Sequence, residues 1–362
     1  MKYSYQEEPI PQDKRKSLNE KVLYLIDNDS SDSCSISPAD IYNAYTGDGG
    51  LHGLERDDYE NYHAYSEAKK EIENGQFFTP PRICNFVTAC LKLSEYDLVA
   101  DLTCGMGSFF NFIPAETNIY GCDLDVRAVK VAKFLYPAAT IECRDIRTCQ
   151  PDTRFDYVIG NPPFHLKWWT QNGRELSSQM YYCLKAAEVL KPLGILALIV
   201  PKSYLSDTFT DSGQIREMEK HYSFLGQVLL PEDAFSYLGV SRFPTKLQFW
   251  QKKTAANGWK SHPYRTEAEH TLARDFNVQE ESQYIHKKIV AFAKSALENN
   301  QSKILLELAK SSSTSGDFKY QTQKLLYHIK VHPVTRPSYA RCCEYLHRFY
   351  TQRMPEGMRY EL

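Results

Sequence analysis

The sequence predicts an α/β protein centred on a largely parallel sheet with helices on both faces. Three observations predict it. Short runs that are almost entirely apolar recur between residues 98 and 230. Amphipathic stretches with helical spacing alternate with them. The first and fourth of these runs end in loops built from glycine or proline. A strand that is apolar on both sides needs cover on both sides, and alternating helices supply that cover in a parallel sheet.

The elements follow in chain order. Residues 1–50 are rich in Asp, Ser, Asn and Tyr and read as a polar, loosely packed arm with a loop over 27–37. The run YENYHAYSEAKKEIEN, 59–74, reads as a lead-in helix stopped at Gly75. Residues 1–70 are thus set apart from a central domain, 71–253. There LVADL (98–102), IYGCDL (119–124), TIECRD (140–145), FDYVIG (155–160), GILALIV (194–200) and FLGQVLL (224–230) read as strands. Helices are expected over 82–93, 126–135, 179–190 and 213–222. TKLQFWQ (245–251) follows a strand with no clear helix between them and reads as an antiparallel addition. Residues 254–362 read as a separate helical region with spans over 281–310, 319–329 and 339–350. The SSSTSG loop at 311–316 and the breakers Pro333 and Pro337 divide these spans.

Composition narrows the function classes. The chain has 362 residues, 42% hydrophobic and 24% charged, which excludes a mainly disordered chain, a collagen and a coiled-coil rod. No apolar run approaches the ~20 residues that span a bilayer, so no membrane role is expected. The N-terminus lacks a signal-peptide pattern, and ten cysteines without one read as reduced thiols in a cytoplasmic protein. No Cys or His pair has zinc-ligand spacing, so no metal is expected. Charge is uneven: residues 1–75 hold 16 acidic against 8 basic side chains, and 255–362 hold 16 basic against 11 acidic. A basic third fits contact with a polyanion or a solvated helical surface.

Four motifs carry chemistry. Asp101 to Phe109, DLTCGMGSF, ends the first strand, and its two glycines let a ligand approach the backbone closely. Phe110 stands where the nicotinamide fingerprint needs a third glycine, which counts against NAD(P). Asp123 ends the second strand, where a carboxylate can accept both ribose hydroxyls of an adenosine-type cofactor. Either Asp123 or Asp125 can instead cap the next helix. Asp145 ends the third strand at the same edge and either accepts an adenine amine or caps a turn. Asn161-Pro162-Pro163-Phe164 ends the fourth strand. Its prolines remove two N–H donors, leaving the Asn161 oxygen and nearby carbonyls as bare acceptors for a planar amine, with Phe164 as a stacking face. In GQFFTPP, 75–81, Thr79 is placed to cap the next helix with Pro80 at its first position, aiming the backbone at Phe77 and Phe78 toward the glycine loop.

The order GQFFTPP, DLTCGMGSF, GCDLD, RDI, GNPPF resembles the amino-methyltransferase branch of the enzymes that use S-adenosylmethionine. It looks most like restriction-modification-type N6-adenine DNA methyltransferases whose recognition region follows the catalytic domain. The resemblance covers roughly 70–253. It implies a Rossmann-like methyltransferase sheet, S-adenosylmethionine as cofactor, and methyl transfer to the exocyclic amine of a flipped adenine in DNA. It also implies a specificity, helicase or nuclease partner subunit. By the same resemblance Asp101, Gly105 and Gly107 surround the methionine part of the cofactor. Phe77, Thr79 and Pro80 hold its amino-acid end. Asp123 and Leu124 meet the ribose and adenine, and Asp145 with Ile146 meets the adenine edge. Asn161, Pro162, Pro163 and Phe164 are the catalytic tetrapeptide. Phe235 is the candidate second aromatic for the base, with Phe243 as rival. Leu102 stands where such families often carry proline, and KPLG at 191–194 replaces the common KPGG turn. The abrupt end at PEGMRYEL reads as if more chain once followed.

NPPF loops also resemble those of ribosomal-RNA guanine-N2 and protein-glutamine methyltransferases. A non-catalytic cofactor- or DNA-binding subunit of a restriction or mobile-element complex is a further alternative. Lys167, Trp168, Trp169 and Lys202 lie near the same sheet edge and are placed to meet phosphates or bases. Cys149 reads as an ordinary thiol.

Overall fold

The computed structural model describes residues 1–6, 10–28, 37–47, 59–66, 77–164, 166–236, 243–254, 258–260 and 262–353. The helices are α1 (Gln12–Asn28), α2 (Pro38–Ala44), α3 (Pro81–Leu91), α4 (Val126–Leu135), α5 (Ser178–Val189), α6 (Ser212–His221), α7 (Val278–Ser311), α8 (Ser315–Val331) and α9 (Tyr339–Arg353). The strands are β1 (Val99–Asp101), β2 (Ile119–Asp123), β3 (Thr140–Cys143), β4 (Phe155–Gly160), β5 (Lys167–Trp169), β6 (Glu175–Ser177), β7 (Leu190–Pro201), β8 (Tyr222–Leu229), β9 (Thr245–Lys252) and β10 (His270–Thr271).

Eight strands form one sheet in the order β10-β8-β9-β7-β4-β1-β2-β3. The pairs β1–β2, β2–β3, β1–β4 and β4–β7 are parallel. β9 runs antiparallel between β7 and β8, as its run without a preceding helix predicts. The chain builds outward from β1 through β2 to β3, then crosses back to β4 and β7 on the other side. The carboxyl ends of β1 and β4 therefore bracket the reversal of strand order, where open α/β sheets bind ligands.

Alternation along β7 explains the two-sided burial. Ile195, Ala197 and Ile199 join one core cluster with α3, α4 and α7 residues such as Phe86, Val131 and Ile289. Leu196, Leu198 and Val200 join a second with α5 and α6 residues such as Met180 and Met218. The doubly covered parallel sheet predicted from the apolar runs is what forms.

The structure departs from the sequence reading in three places. The described parts of 1–50 are packed rather than loose: Val22, Ile41, Tyr42 and Tyr45 are buried in the first core cluster. Asn111 Oδ1 accepts the Lys2 and Tyr3 N–H groups at 3.0 and 2.6 Å, and Asn19 Nδ2 donates to the Gly47 carbonyl at 2.7 Å. The apolar partners are scattered among polar residues, so the local pattern hid them. Second, an antiparallel hairpin, β5–β6, follows the fourth strand in a stretch to which the sequence assigns no element. Third, α3 starts at Pro81, and its cap, Pro80, makes no side-chain capping bond, so Thr79 is not the cap. Of the lead-in helix expected over 59–74, residues 62–66 are helical and 67–74 lie outside the described residues.

The C-terminal helices form with nearly the expected spans. α7 lies against α3, where His286 Nδ1 sits 2.8 Å from the Cys90 carbonyl. α8 borders the amino-terminal edge of the sheet through His328, whose Nδ1 is 3.5 Å from Asp156 at the start of β4. No described helix is long and apolar enough to cross a membrane.

Asp156 ties this edge together. Its Oδ2 accepts the Leu98 N–H at 3.0 Å and Lys191 Nζ at 2.8 Å. Removing it leaves a half-buried ammonium and a backbone donor unpartnered. Asp156→Ala should therefore cost ~3 kcal/mol of unfolding free energy by urea titration. A loss below ~1 kcal/mol would mean that water replaces the carboxylate freely.

Candidate active site at the carboxyl edge of the sheet

A cavity of about 500 Å³ opens at the carboxyl ends of β1 and β4. Phe77, Phe78 and Thr79 line one end, and Asp101 through Gly105 line the floor. Asp123, Leu124, Asp145 and Ile146 follow, then Asn161, Pro163, Leu166, Lys167 and Trp168. Ten of the residues expected from the sequence thus meet in one space. Pro80, Gly107, Pro162, Phe164 and Phe235 are not among its lining residues.

The glycine loop is held from both sides. Gly105 has φ +53°, and a Cβ there would meet the Phe78 ring at 2.5 Å. Its N–H donates to Asp123 Oδ2 at 2.7 Å. Gly107, at φ +81°, packs its bare Cα against Phe110 and Tyr136, outside the cavity, so its role is to turn the chain. Asp125, not Asp123, caps α4, accepting the Arg127 N–H at 2.9 Å. Asp123 is thereby left to brace Gly105 and face the cavity.

Two carboxylates on the floor are costly to ionise. Burial, with the like charge of Asp123 nearby, pushes Asp101 up to about 7, despite hydrogen bonds from Thr103 N–H and Tyr182. Burial, with Asp125 adding repulsion, pushes Asp123 up to about 6. Such a floor favours a ligand that brings positive charge or hydroxyl donors. Asp145 differs. Burial would raise it, but the Arg147 guanidinium and N–H hold it below the usual carboxylate range. Arg147 Nε lies 3.0 and 2.9 Å from its two oxygens.

At the end of β4, Asn161 Nδ2 donates to the Phe77 carbonyl at 3.0 Å. That bond sets the amide's orientation. Asn161 Oδ1 is buried and has no hydrogen-bond partner among the described residues. A buried acceptor without a donor is costly, and it marks a place where a ligand donor belongs. The Pro163 carbonyl is already taken, by Ser178 Oγ at 2.5 Å and Gln179 Nε2 at 3.1 Å.

Phe164 is buried, and its ring stacks on Phe243 at a centroid distance of 5.3 Å and an interplanar angle of 14°. Of the two candidate second aromatics, Phe243 is therefore the one in ring contact with Phe164. Phe235 is buried in the first core cluster, as is Phe164, and Phe243 packs against the same cluster. Phe243 sits two residues before β9, which starts beside the carboxyl end of β7. Sequence reasoning missed Thr103, Tyr182, Ser178 and Gln179. Only SerSer before an amphipathic run, a capping pattern, hinted at any of them. Cys149 lies away from the cavity, its Sγ 3.1 Å from the buried Tyr120 hydroxyl.

Comparison with known proteins gives the family. The family model described as N-6 DNA Methylase matches residues 56–303. Defense against restriction protein B of Escherichia phage P1 is 24% identical over 239 residues, 63% of this chain but 10% of that protein. Type II methyltransferase M.CvrRI of Paramecium bursaria Chlorella virus XZ-6E is 26% identical over 158 residues, 41% of each chain. The chain thus spans well under half the length of both relatives. A crystal structure of a modification subunit of a putative type I restriction enzyme from Vibrio vulnificus YJ016 superposes with TM-score 0.45 and 16% identity, covering 65% of this chain and 59% of that one.

The raised Asp101 value makes a testable linkage. Its folded value lies above the ordinary 3.8, so its stabilising contribution is complete below about pH 4 and is lost as pH rises through 7. Asp101→Asn should raise the melting temperature of the ligand-free protein, by more at pH 8 than at pH 5. An equal change at both values would show that charging Asp101 costs nothing.

Proposed function

Because the chain belongs to the N-6 DNA methylase family, we propose that it methylates the exocyclic amine of an adenine extruded from DNA. S-adenosylmethionine is its cofactor, and the residues present fit that molecule. Asp101 offers a carboxylate for the α-ammonium group at the Phe77–Thr79 end. Asp123 offers acceptors for ribose hydroxyls, and Leu124 and Ile146 offer apolar cover for the adenine. The cofactor supplies a methyl group on a positively charged sulfur.

The observation that carries the reading is the unpartnered, buried Asn161 Oδ1. It accepts one N–H of the target amine. Ser178 and Gln179 occupy the Pro163 carbonyl, which leaves the Pro162 carbonyl to accept the other. Two acceptors pull electron density from the N–H bonds and turn the nitrogen lone pair toward the methyl group. No covalent intermediate and no buried general base are needed, so the catalytic gain is orientation and charge complementarity. Phe164 holds the plane of the base. Its present partner, Phe243, is in ring contact, so an incoming base displaces Phe243 or stacks beside the pair. Adenine reaches such a pocket only out of the helical stack. The site of action is then the cytoplasm, where DNA is at hand, and recognition of a particular sequence falls to a specificity subunit or a longer parent protein. The phage relative, ten times this chain's matched length, favours such an arrangement.

Asn161→Ala should lower methyl transfer to DNA by about three orders of magnitude and leave cofactor affinity within about twofold of wild type. Tritium transfer and calorimetry read the two quantities. Substantial turnover in this variant would remove the assignment. Transfer by the wild type to ribosomal RNA or protein, with none to DNA, would replace the substrate.

A further inference from the structure

The β5–β6 hairpin is inserted between the catalytic tetrapeptide and α5, and its two faces differ. Trp168 and its cross-strand partner Leu176 face inward: Leu176 is buried, and Trp168 packs edge-on against Tyr181 at 5.6 Å and lines the cavity. Trp169 and Glu175 lie on the opposite face, as strand alternation requires, and Lys167, on that same face, also borders the cavity. Trp169 is 60% exposed. Its exposed ring offers a flat apolar face with a polar edge to a planar partner.

The cations beside it are weakly committed. Lys167 pairs with Glu175 at 2.9 Å, and Arg174 lies 4.0 Å from Glu217. Both cations are more than half exposed, so these pairs are worth little and are open to exchange for phosphate. A second exposed aromatic, Phe209 at 88%, stands on the loop that leaves the same sheet edge after β7.

The hairpin is also tied to the catalytic loop at its base. Ser178 N–H, directly after β6, donates to the Leu166 carbonyl, directly before β5, at 2.9 Å. The same Ser178 donates its Oγ to Pro163, and Gln179 donates there as well. The two prolines remove two of the loop's backbone donors, so donors from outside it help to set its shape. Whatever moves the hairpin therefore moves the peptide that presents the Pro162 and Asn161 acceptors.

We propose that the outer face of the 167–177 hairpin is a duplex-DNA contact in which Trp169 stacks on bases beside the extruded nucleotide. Lys167 and Arg174 take the flanking phosphates. The inference rests on the DNA reading above and adds the surface and residue that drive extrusion. Aromatic stacking suits this task because every base has a π-face and the stack replaces one lost on extrusion.

The test uses the full chain and a duplex chosen by mapping the adenines that wild type methylates. Trp169→Ala should lower kcat/KM on that duplex by about tenfold. Placing the target adenine opposite an abasic site, which removes the pairing cost, should bring the variant back to within about threefold of wild type. Cofactor affinity should not change. Binding of unmethylatable duplex should quench the chain's tryptophan fluorescence, and Trp169→Phe should remove the quench, a readout that needs no turnover. Equal rates of variant and wild type on the paired duplex, or a quench that survives Trp169→Phe, overturns the hairpin contact and leaves the DNA reading standing. An equal loss on paired and unpaired targets with weakened cofactor binding also overturns it, because Trp169 then serves the cavity. Wild-type transfer to RNA alone overturns both.

Discussion

One hydrogen bond organises the site: Asn161 Nδ2 to the Phe77 carbonyl. It joins the segment before α3 to the loop after β4, two stretches that the fold brings together across 84 residues. By engaging the nitrogen, it decides which end of the amide is left over. The left-over oxygen is buried and unpartnered, so the free protein pays for an acceptor that only a donor in the cavity can satisfy. The same bond ties the Phe77 wall of the cavity to the amide proposed to grip the target amine.

Electrostatics on the cavity floor follow the same logic. Asp101 and Asp123 are held close together in partial or full burial, and neither has a cationic side chain among its recorded partners. Hydrogen bonds to backbone N–H groups keep their directions fixed while their charge remains uncompensated. A ligand bearing an ammonium, a sulfonium and two hydroxyls matches that pattern in charge and in donors. Asp145, paired with Arg147, is the exception.

The edge opposite the cavity has a different task. Asp156, Lys191 and His328 join the C-terminal helices to the starts of β4 and β7. Burial pulls His328 down to about 4, despite Asp156 beside it. The helical region is thus coupled to the sheet through its amino-terminal edge, and the carboxyl edge stays clear for cofactor and target.

Much of this was legible in the sequence because short-range rules govern it. Apolar runs in alternation with amphipathic ones predict a doubly covered sheet, since no other arrangement buries both faces of such strands. Gly105 and Asn161-Pro162-Pro163-Phe164 are readable because backbone freedom and missing donors belong to residue types, not to neighbours. What tertiary structure alone decided are relations between distant segments. The packing of α1 and α2, the stacking of Phe243 on Phe164, the Asn161–Phe77 bond and the clamp of Ser178 and Gln179 on Pro163 each depend on which loops share a sheet edge. Strand order fixes that adjacency, and residue type does not encode it locally.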